Sequence, residues 1–224
     1  MNAFSYRVQT LQPSAIREIL KFTADPEVIS FAAGNPAPEA FPTEEIARIT
    51  NEILTTTPID ALQYSITEGY TPLRNWIKDD LKKKGMFNEN DEDVVITSGA
   101  QQAIEVVTKE ICNEGDTIIC EAPTFSGSLN AFRSYNAKLV GVEMEDDGIN
   151  IDKLEKALIE NPRTAFIYLI PNFQNPTGKT MSLEKRKAVL ALAQKYNVYI
   201  LEDNPYGDLR YIGENVPTIK SLDK

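Results

Sequence analysis

The chain has 224 residues, of which 42% are hydrophobic and 25% are charged, and its formal net charge is −10 at pH 7. This composition is typical of a globular protein with a sizeable core, and the acidic charge argues against nucleic acid or an anionic membrane as partners. The sequence has no histidine, which removes the commonest metal ligand and the usual general base of hydrolases. With two cysteines and neither a signal peptide nor a long apolar run, we expect a cytoplasmic protein without a metal site.

Residues 1–50 are predicted to form an N-terminal segment of helices and irregular joins. Apolar residues in the stretch 13–22 repeat at helical spacing. The stretch 30–42 is dense in proline and glycine and predicts an irregular crossing segment. Thr43 is predicted to cap a further helix. We assign the remainder, residues 51–224, to a larger second unit.

In this second unit a helix is predicted to start at Thr71–Pro72, and from residue 93 the pattern alternates between strand and helix. Asp152 with Glu155 resembles a capping box, and Ser182 is predicted to cap the last long helix. Near-continuous apolar strands separated by helices predict an α/β fold of three layers, a mainly parallel sheet with helices on both faces. The predicted strands cover 93–97, 117–121, 138–143, 164–170 and 198–202, with helices near 100–113, 126–135, 152–160 and 183–196.

Polar or aromatic residues follow four of the predicted strands, at the edge where ligands bind in parallel sheets. Ser98–Gly99–Ala100–Gln101 follows the first strand and opens directly into a helix, and Phe125 lies just beyond the second. Asn175 follows the fourth strand, and Asp203 and Tyr206 follow the fifth. Taken singly, each has a simple structural explanation, namely a helix cap, core packing or turn chemistry.

Taken together, these residues predict a site for pyridoxal phosphate (PLP). A carboxylate such as Asp203 beside the pyridine nitrogen keeps that nitrogen protonated, which strengthens the cofactor as an electron sink. Asn175 and Tyr206 would donate hydrogen bonds to the ring's phenolate oxygen, and Phe125 would cover one ring face. The phosphate would be held at a helix N-terminus by the amides of Gly99, Ala100 and Gln101 and by the Ser98 hydroxyl.

The chain also resembles a known family, the fold-type I aminotransferases of classes I and II, in the branch of aromatic and 2-aminoadipate aminotransferases. The matching motifs are "ISFAAGNPAPEAFP", "LQYSITEGYTPLR", "ITSGAQQAIE", "CEAPTF", "NFQNPTG" and "EDNPYGDLRY". The resemblance implies PLP-dependent transfer of an amino group from an amino acid to a 2-oxo acid, with Asp203, Tyr206 and Asn175 as the catalytic residues present here.

The same resemblance implies a homodimer whose active sites lie at the subunit interface. Tyr64 is similar to the tyrosine that reaches the neighbouring subunit's cofactor phosphate, and Gly34 to a residue lining the substrate site. Arg17 would either face a substrate side chain or be an exposed helix residue. Two departures from the family pattern are Ala100, where many relatives have a hydroxyl residue, and Phe125, where a tyrosine often stacks.

A third departure is more consequential, because the family's cofactor-linking lysine is not found in its expected motif. Lys224 with Ser221 forms an S-x-x-K pattern, but it comes early and follows no buried strand, so we do not expect it to be that lysine. We expect residues 51–224 to be a partial PLP-binding large domain, incomplete at its C-terminus and without the small domain. The chain would then be the N-terminal portion of a longer enzyme and inactive alone.

Three alternatives remain open from the sequence. A carbon–sulfur lyase of the same fold would use the same cofactor residues, because reaction type depends largely on parts not seen here. A non-catalytic ligand-binding or regulatory module could have lost the lysine. A dinucleotide-binding enzyme is a further α/β possibility, but neither a G-x-G-x-x-G nor a Walker A pattern is present.

Overall fold

The computed structural model describes residues 4–9, 11, 22, 27–29, 31, 34 and 36–223. Most of the helix predicted over 13–22, including Arg17, lies outside the described residues, and so does Lys224. The helices are α1 Tyr6–Gln9, α2 Thr43–Thr56, α3 Pro58–Leu62, α4 Thr71–Lys83, α5 Ala100–Ile111, α6 Ser126–Ser134, α7 Ile151–Glu160, α8 Leu183–Tyr196 and α9 Ile219–Leu222, with a short 3-10 helix at Pro38–Ala40. The strands are β1 Thr117–Ala122, β2 Lys138–Glu145, β3 Gly148–Ile149, β4 Thr164–Leu169 and β5 Tyr199–Glu202.

The five strands form one sheet in the order β3-β2-β1-β4-β5. Strand β1 pairs in parallel with β2 and β4, and β4 pairs in parallel with β5. Strand β3, which the sequence pattern did not predict, pairs antiparallel with the end of β2. Register places Cys120 of β1 opposite Tyr168 of β4, and Tyr168 opposite Leu201 of β5. The parallel pairing brings the carboxyl ends of β1, β4 and β5 to one edge.

Successive residues of the inner strands point to opposite faces, and each face is covered by helices. Ile119, Ile167 and Leu169 pack with apolar residues of α7 and α8. Ile118 and Phe166 belong to the other cluster, which includes residues of α5 and α6. Full burial of such aliphatic or aromatic side chains contributes about 1.5–3 kcal/mol each before the entropy of ordering is counted. The prediction of a three-layer α/β fold with a mainly parallel sheet is confirmed.

The prediction of a strand at 93–97 is wrong. In the structure these residues form no strand with any described part of the chain. Their backbone groups bond elsewhere: the Arg74 Nε atom donates to the Val94 carbonyl at 2.7 Å, and the Ile96 amide donates to the Glu68 carbonyl at 2.9 Å. A strand needs a partner backbone as well as the right side chains, and the apolar pattern alone could not supply one.

Two predicted helix caps also differ from the structure. Helix α7 is capped by Asn150, whose side chain accepts a hydrogen bond from the Lys153 amide at 2.8 Å. The predicted pair of Asp152 and Glu155 does not form the cap, and Glu155 instead accepts hydrogen bonds from α8. Thr43 is the first residue of α2 and makes no capping bond. Ser182 caps α8 as predicted, accepting from the Lys185 amide.

The predicted boundary between residues 50 and 51 falls inside α2, a helix whose apolar side chains are exposed.

In the part of the chain that the structure describes, no helix combines the length and the hydropathy needed to cross a membrane.

Candidate active site

Four segments converge at the carboxyl edge of the sheet, and hydrogen bonds join them in pairs. The side-chain amide of Gln174 donates to the Pro123 carbonyl at 2.8 Å, which links the ends of β4 and β1. Asn172 donates to the side chain of Asn204 at 2.8 Å, which links the ends of β4 and β5. Gln101, in the first turn of α5, donates to the carbonyl of Gly127 at 3.3 Å. The four segments predicted from the sequence therefore meet at one place.

The N-terminus of α5 is built to leave backbone amides available. Gly99 is the N-cap residue and has φ +85° and ψ 162°, a conformation that is almost restricted to glycine. No side chain of the described residues caps this helix; the Gln102 side chain turns back to accept from the Ser98 amide at 2.5 Å. A Cβ added at residue 99 would meet no atom within 4 Å, so space is open above the first turn. Such a helix terminus suits an anion.

Phe125 lies at the start of α6, and its ring is held close to the backbone of Gly127. A Cβ at residue 127 would lie 2.5 Å from the Phe125 Cε1 atom and 2.8 Å from the Gln101 Oε1 atom. Only glycine therefore lets the ring and the Gln101 amide approach this turn together. Phe125 is partly buried against the cluster of α5 and α6. The rest of the Phe125 side chain remains partly exposed.

Asp203 is oriented by a tyrosine that the sequence analysis did not identify. The Tyr168 hydroxyl donates to the Asp203 Oδ2 atom at 2.7 Å and accepts from the Ser128 hydroxyl at 2.8 Å. Tyr168 is fully buried; burial raises its pKa, and the hydrogen bond to Asp203 raises it further, so the phenol is neutral and donates. A phenol within the apolar run "AFIYLI" was the available signal, because a buried tyrosine hydroxyl usually finds a partner.

Asn175 and Tyr206 face each other, with the Asn175 Nδ2 atom 3.5 Å from the Tyr206 hydroxyl. Both side chains are half-buried, so each keeps hydrogen-bonding capacity on its open side. Asn175 lies in the segment that follows β4, and Tyr206 lies in the segment that follows β5 and begins with Asp203. The structure thus places Asn175 against Tyr206, on segments that leave the same edge of the sheet as Asp203.

Two predicted site residues lie apart from this group. The Tyr64 side chain is fully exposed, and no described side chain of the same chain holds it in the site. Gly34 is also exposed, with no atom within 4 Å of a Cβ position. Arg17, as noted, lies outside the described residues. Within the described ranges, no group of three acidic, cysteine or histidine side chains could hold a metal ion.

Three buried polar side-chain atoms at this edge have no hydrogen-bond partner among the described residues: Glu121 Oε1, Thr124 Oγ1 and Arg210 Nε. Buried polar groups are normally paired, and exceptions are characteristic of sites that bind something else. Burial raises the pKa of Glu121 to about 7, although hydrogen bonds from the Ile170 amide and the Gln174 side chain lower it. Glu121 is the penultimate residue of β1, Thr124 lies two residues after that strand, and Arg210 lies in the chain that follows β5.

A family model described as "Aminotransferase class I and II" matches residues 26–222, almost the entire chain. The chain belongs to the class I and II aminotransferases. Among its relatives, aromatic-amino-acid aminotransferase 1 of Thermococcus litoralis is 42% identical over 99% of this chain. The 2-aminoadipate transaminase of Thermus thermophilus is 41% identical over 98% of it.

A solved structure agrees with this family assignment. The kynurenine aminotransferase of Pyrococcus horikoshii, described in complex with PMP, superposes with a TM-score of 0.90 at 38% identity, covering 98% of this chain and 55% of that one. The chain spans about half the length of the relatives it matches, 54% of each of the two proteins above. As a class I and II aminotransferase chain, it therefore corresponds to part of a larger relative.

Proposed function

We propose that the full-length protein is a PLP-dependent aminotransferase that moves an amino group from an amino acid to a 2-oxo acid, and that this chain supplies most of its cofactor site. The observation that carries the proposal is the pairing of an uncapped helix N-terminus at Gly99 with a carboxylate, Asp203, that a buried tyrosine orients. An anion site and a fixed anion at the same sheet edge fit the two charged ends of this cofactor.

The residues at this edge of the sheet fit PLP. The amides of Gly99, Ala100 and Gln101, with the Ser98 hydroxyl, would hold the phosphate, since no side chain of the described residues occupies that terminus. The open space above Gly99 supports the fit. Phe125 would lie against the ring.

PLP, when bound, supplies an electron sink for bonds at the substrate's α-carbon. Asp203 would hold a proton at the pyridine nitrogen, because an anion at close range favours the charged form. Tyr168 would keep the Asp203 carboxylate aimed by donating to one of its oxygens. Asn175 and Tyr206 would donate to the ring oxygen and so orient the ring.

The cofactor-linking lysine is proposed to lie in a part of the protein beyond these 224 residues. None of the segments 98–101, 122–125, 170–177 and 203–206 contains a lysine. By itself the chain would then bind cofactor without completing transamination. The relatives above are named as aminotransferases or transaminases, which favours this activity over a lyase or a non-catalytic module.

For the substrate, we propose aromatic or long dicarboxylic amino donors, the classes that the named relatives suggest. Gly34 and Arg17 would line the substrate side of the site.

We further propose a cytoplasmic homodimer: the two unpaired buried cysteines suit a reducing compartment. Large apolar side chains exposed before and within α4 support an interface, and Tyr64 would reach the partner's cofactor phosphate from there. Those side chains are Ile59, Leu62, Tyr64 and Trp76.

The test is to add PLP to the full-length protein, record its visible spectrum, reduce with borohydride and map the labelled peptide. A visible band, with the label on a lysine beyond residue 224, supports the proposal; no band, or a label on Lys224, contradicts it. Asp203→Asn should weaken the band and the affinity for PLP. Asp208→Asn is the matched control, because that side chain is exposed in the same segment and pairs only with Lys84 among the described residues.

A further inference from the structure

Glu121, the penultimate residue of β1, is a carboxyl buried at the base of the site. Its side chain is 1% exposed. The Oε2 atom accepts from the Ile170 amide at 3.1 Å and from the Gln174 Nε2 atom at 3.2 Å, whereas Oε1 has no partner among the described residues. Neither donor is charged. Stability alone does not explain this residue, because burying a carboxyl against neutral partners costs free energy that an apolar side chain would not.

Gln174 connects Glu121 to both segments that flank the site. Its Nε2 atom also donates to the Pro123 carbonyl at 2.8 Å. Its Oε1 atom accepts from the Thr177 amide at 3.0 Å and from the Thr177 hydroxyl at 2.7 Å. The Gln174 side chain therefore uses both its donor and its acceptor capacity within the protein and is almost fully buried. Four hydrogen bonds to three residues hold the Gln174 side chain in one position.

The residues expected to contact the cofactor ring lie close in sequence to Gln174 and to the residue whose carbonyl it binds. Pro123 is two residues before Phe125, and Gln174 is directly before Asn175. We propose that Glu121 and Gln174 are positioning residues, a buried carboxyl–amide pair that fixes the segment of Asn175 relative to the segment of Phe125. The pair would thus set the separation between the ring face and the ring-oxygen donor. The expected effect on PLP binding rests on the proposed function, whereas the hydrogen bonds of the pair do not.

The pair can be tested with substitutions that differ only in whether an acceptor remains. Glu121→Met keeps the length and removes the acceptor, whereas Glu121→Gln keeps one carbonyl oxygen for the Ile170 amide and Gln174. Thr117→Val is the control, a buried change on the same strand at its opposite end. Backbone hydrogen exchange of residues 170–178 is measured in the protein without cofactor, and the dissociation constant for PLP is measured in the full-length protein.

We expect Glu121→Met to speed exchange of the Ile170 and Thr177 amides about tenfold, the factor that corresponds to one lost net hydrogen bond. The same variant should weaken PLP binding by a similar factor. Glu121→Gln and Thr117→Val should stay within about twofold of the parent protein in both measurements. Rescue by glutamine distinguishes positioning from a need for charge.

Unchanged exchange at residues 170–178 in Glu121→Met would overturn the inference, and so would faster exchange with unchanged PLP affinity. Equal loss in Glu121→Gln and Glu121→Met would also contradict it, since the acceptor would then not be what matters. If the parent protein does not bind PLP, the proposed function fails, while the exchange measurement still decides whether the pair fixes the segment.

Discussion

Replacing Tyr168 by phenylalanine isolates the contribution of one buried hydroxyl. The ring can stay in place, because it packs edge-on against Phe132 with ring centroids 5.3 Å apart and needs no hydroxyl to do so. Two hydrogen bonds disappear, the one donated to Asp203 at 2.7 Å and the one accepted from Ser128 at 2.8 Å. Asp203 is half-buried, so water replaces the lost donor only in part.

The size of the effect follows from these two bonds. A hydrogen bond to a charged group contributes about 1.5–3 kcal/mol, and leaving the buried Ser128 hydroxyl unpaired costs about 1 kcal/mol or more. Phenylalanine avoids the desolvation of a phenol, which offsets part of this loss. We therefore expect the free energy of unfolding to fall by about 2 kcal/mol. The affinity for PLP should fall about tenfold, since Asp203 would no longer be aimed at the ring nitrogen.

The assay is urea unfolding of the protein without cofactor, together with titration of PLP followed by absorbance. Tyr199→Phe removes the same hydroxyl from a side chain that is 68% exposed, and it should change the unfolding free energy by less than about 0.5 kcal/mol. In the double variant with Ser128→Ala, little further loss is expected, because Ser128 acts through Tyr168. The reasoning is refuted if Tyr168→Phe is no more harmful than Tyr199→Phe in both measurements.

Three further predictions concern the glycines of the site and the pH dependence of stability. Gly127→Ala should displace the ring of Phe125, which a Cβ would approach to 2.5 Å, and lower PLP affinity several-fold in the same titration. Gly99→Ala and Gly85→Ala should each lower the unfolding free energy by about 1 kcal/mol or more, because both glycines have positive φ. Only Gly99→Ala should also weaken PLP binding. Equal PLP affinities of the two variants would contradict the anion site. Burial raises the pKa of Glu121 from 4.5 to about 7, so the folded chain binds more protons than the unfolded chain between those values. This residue's contribution is therefore complete below about pH 4.5 and is lost as pH rises through 7, a change of about 3 kcal/mol. Relative to the parent, Glu121→Gln should become more stable between pH 5 and 8 in urea unfolding, and a constant difference would show that Glu121 does not titrate there.

Local patterns in the sequence were sufficient for most of the elements and for the polar residues at the strand ends. The apolar run at 117–121 and the helix signals around 183–196 match β1 and α8 to within a residue. Asn175, Asp203 and Tyr206 could be singled out because each lies shortly after a predicted strand. Parallel strands carry such residues to the same edge whatever the details of packing.

Tertiary structure decided what depends on residues far apart in the chain. Tyr168 meets Asp203 across 35 positions, and Gln174 meets Glu121 across 53. No local pattern encodes such pairs, because they exist only once β1, β4 and β5 lie in register. The wrong prediction of a strand at 93–97 has the same cause. A strand is defined by the backbone it pairs with, whereas the pattern of apolar side chains indicates only which faces of a segment are buried. The sequence alone thus determined the fold class and the types of side chain available to a cofactor, whereas the packed sheet determined which of them hold one another in place.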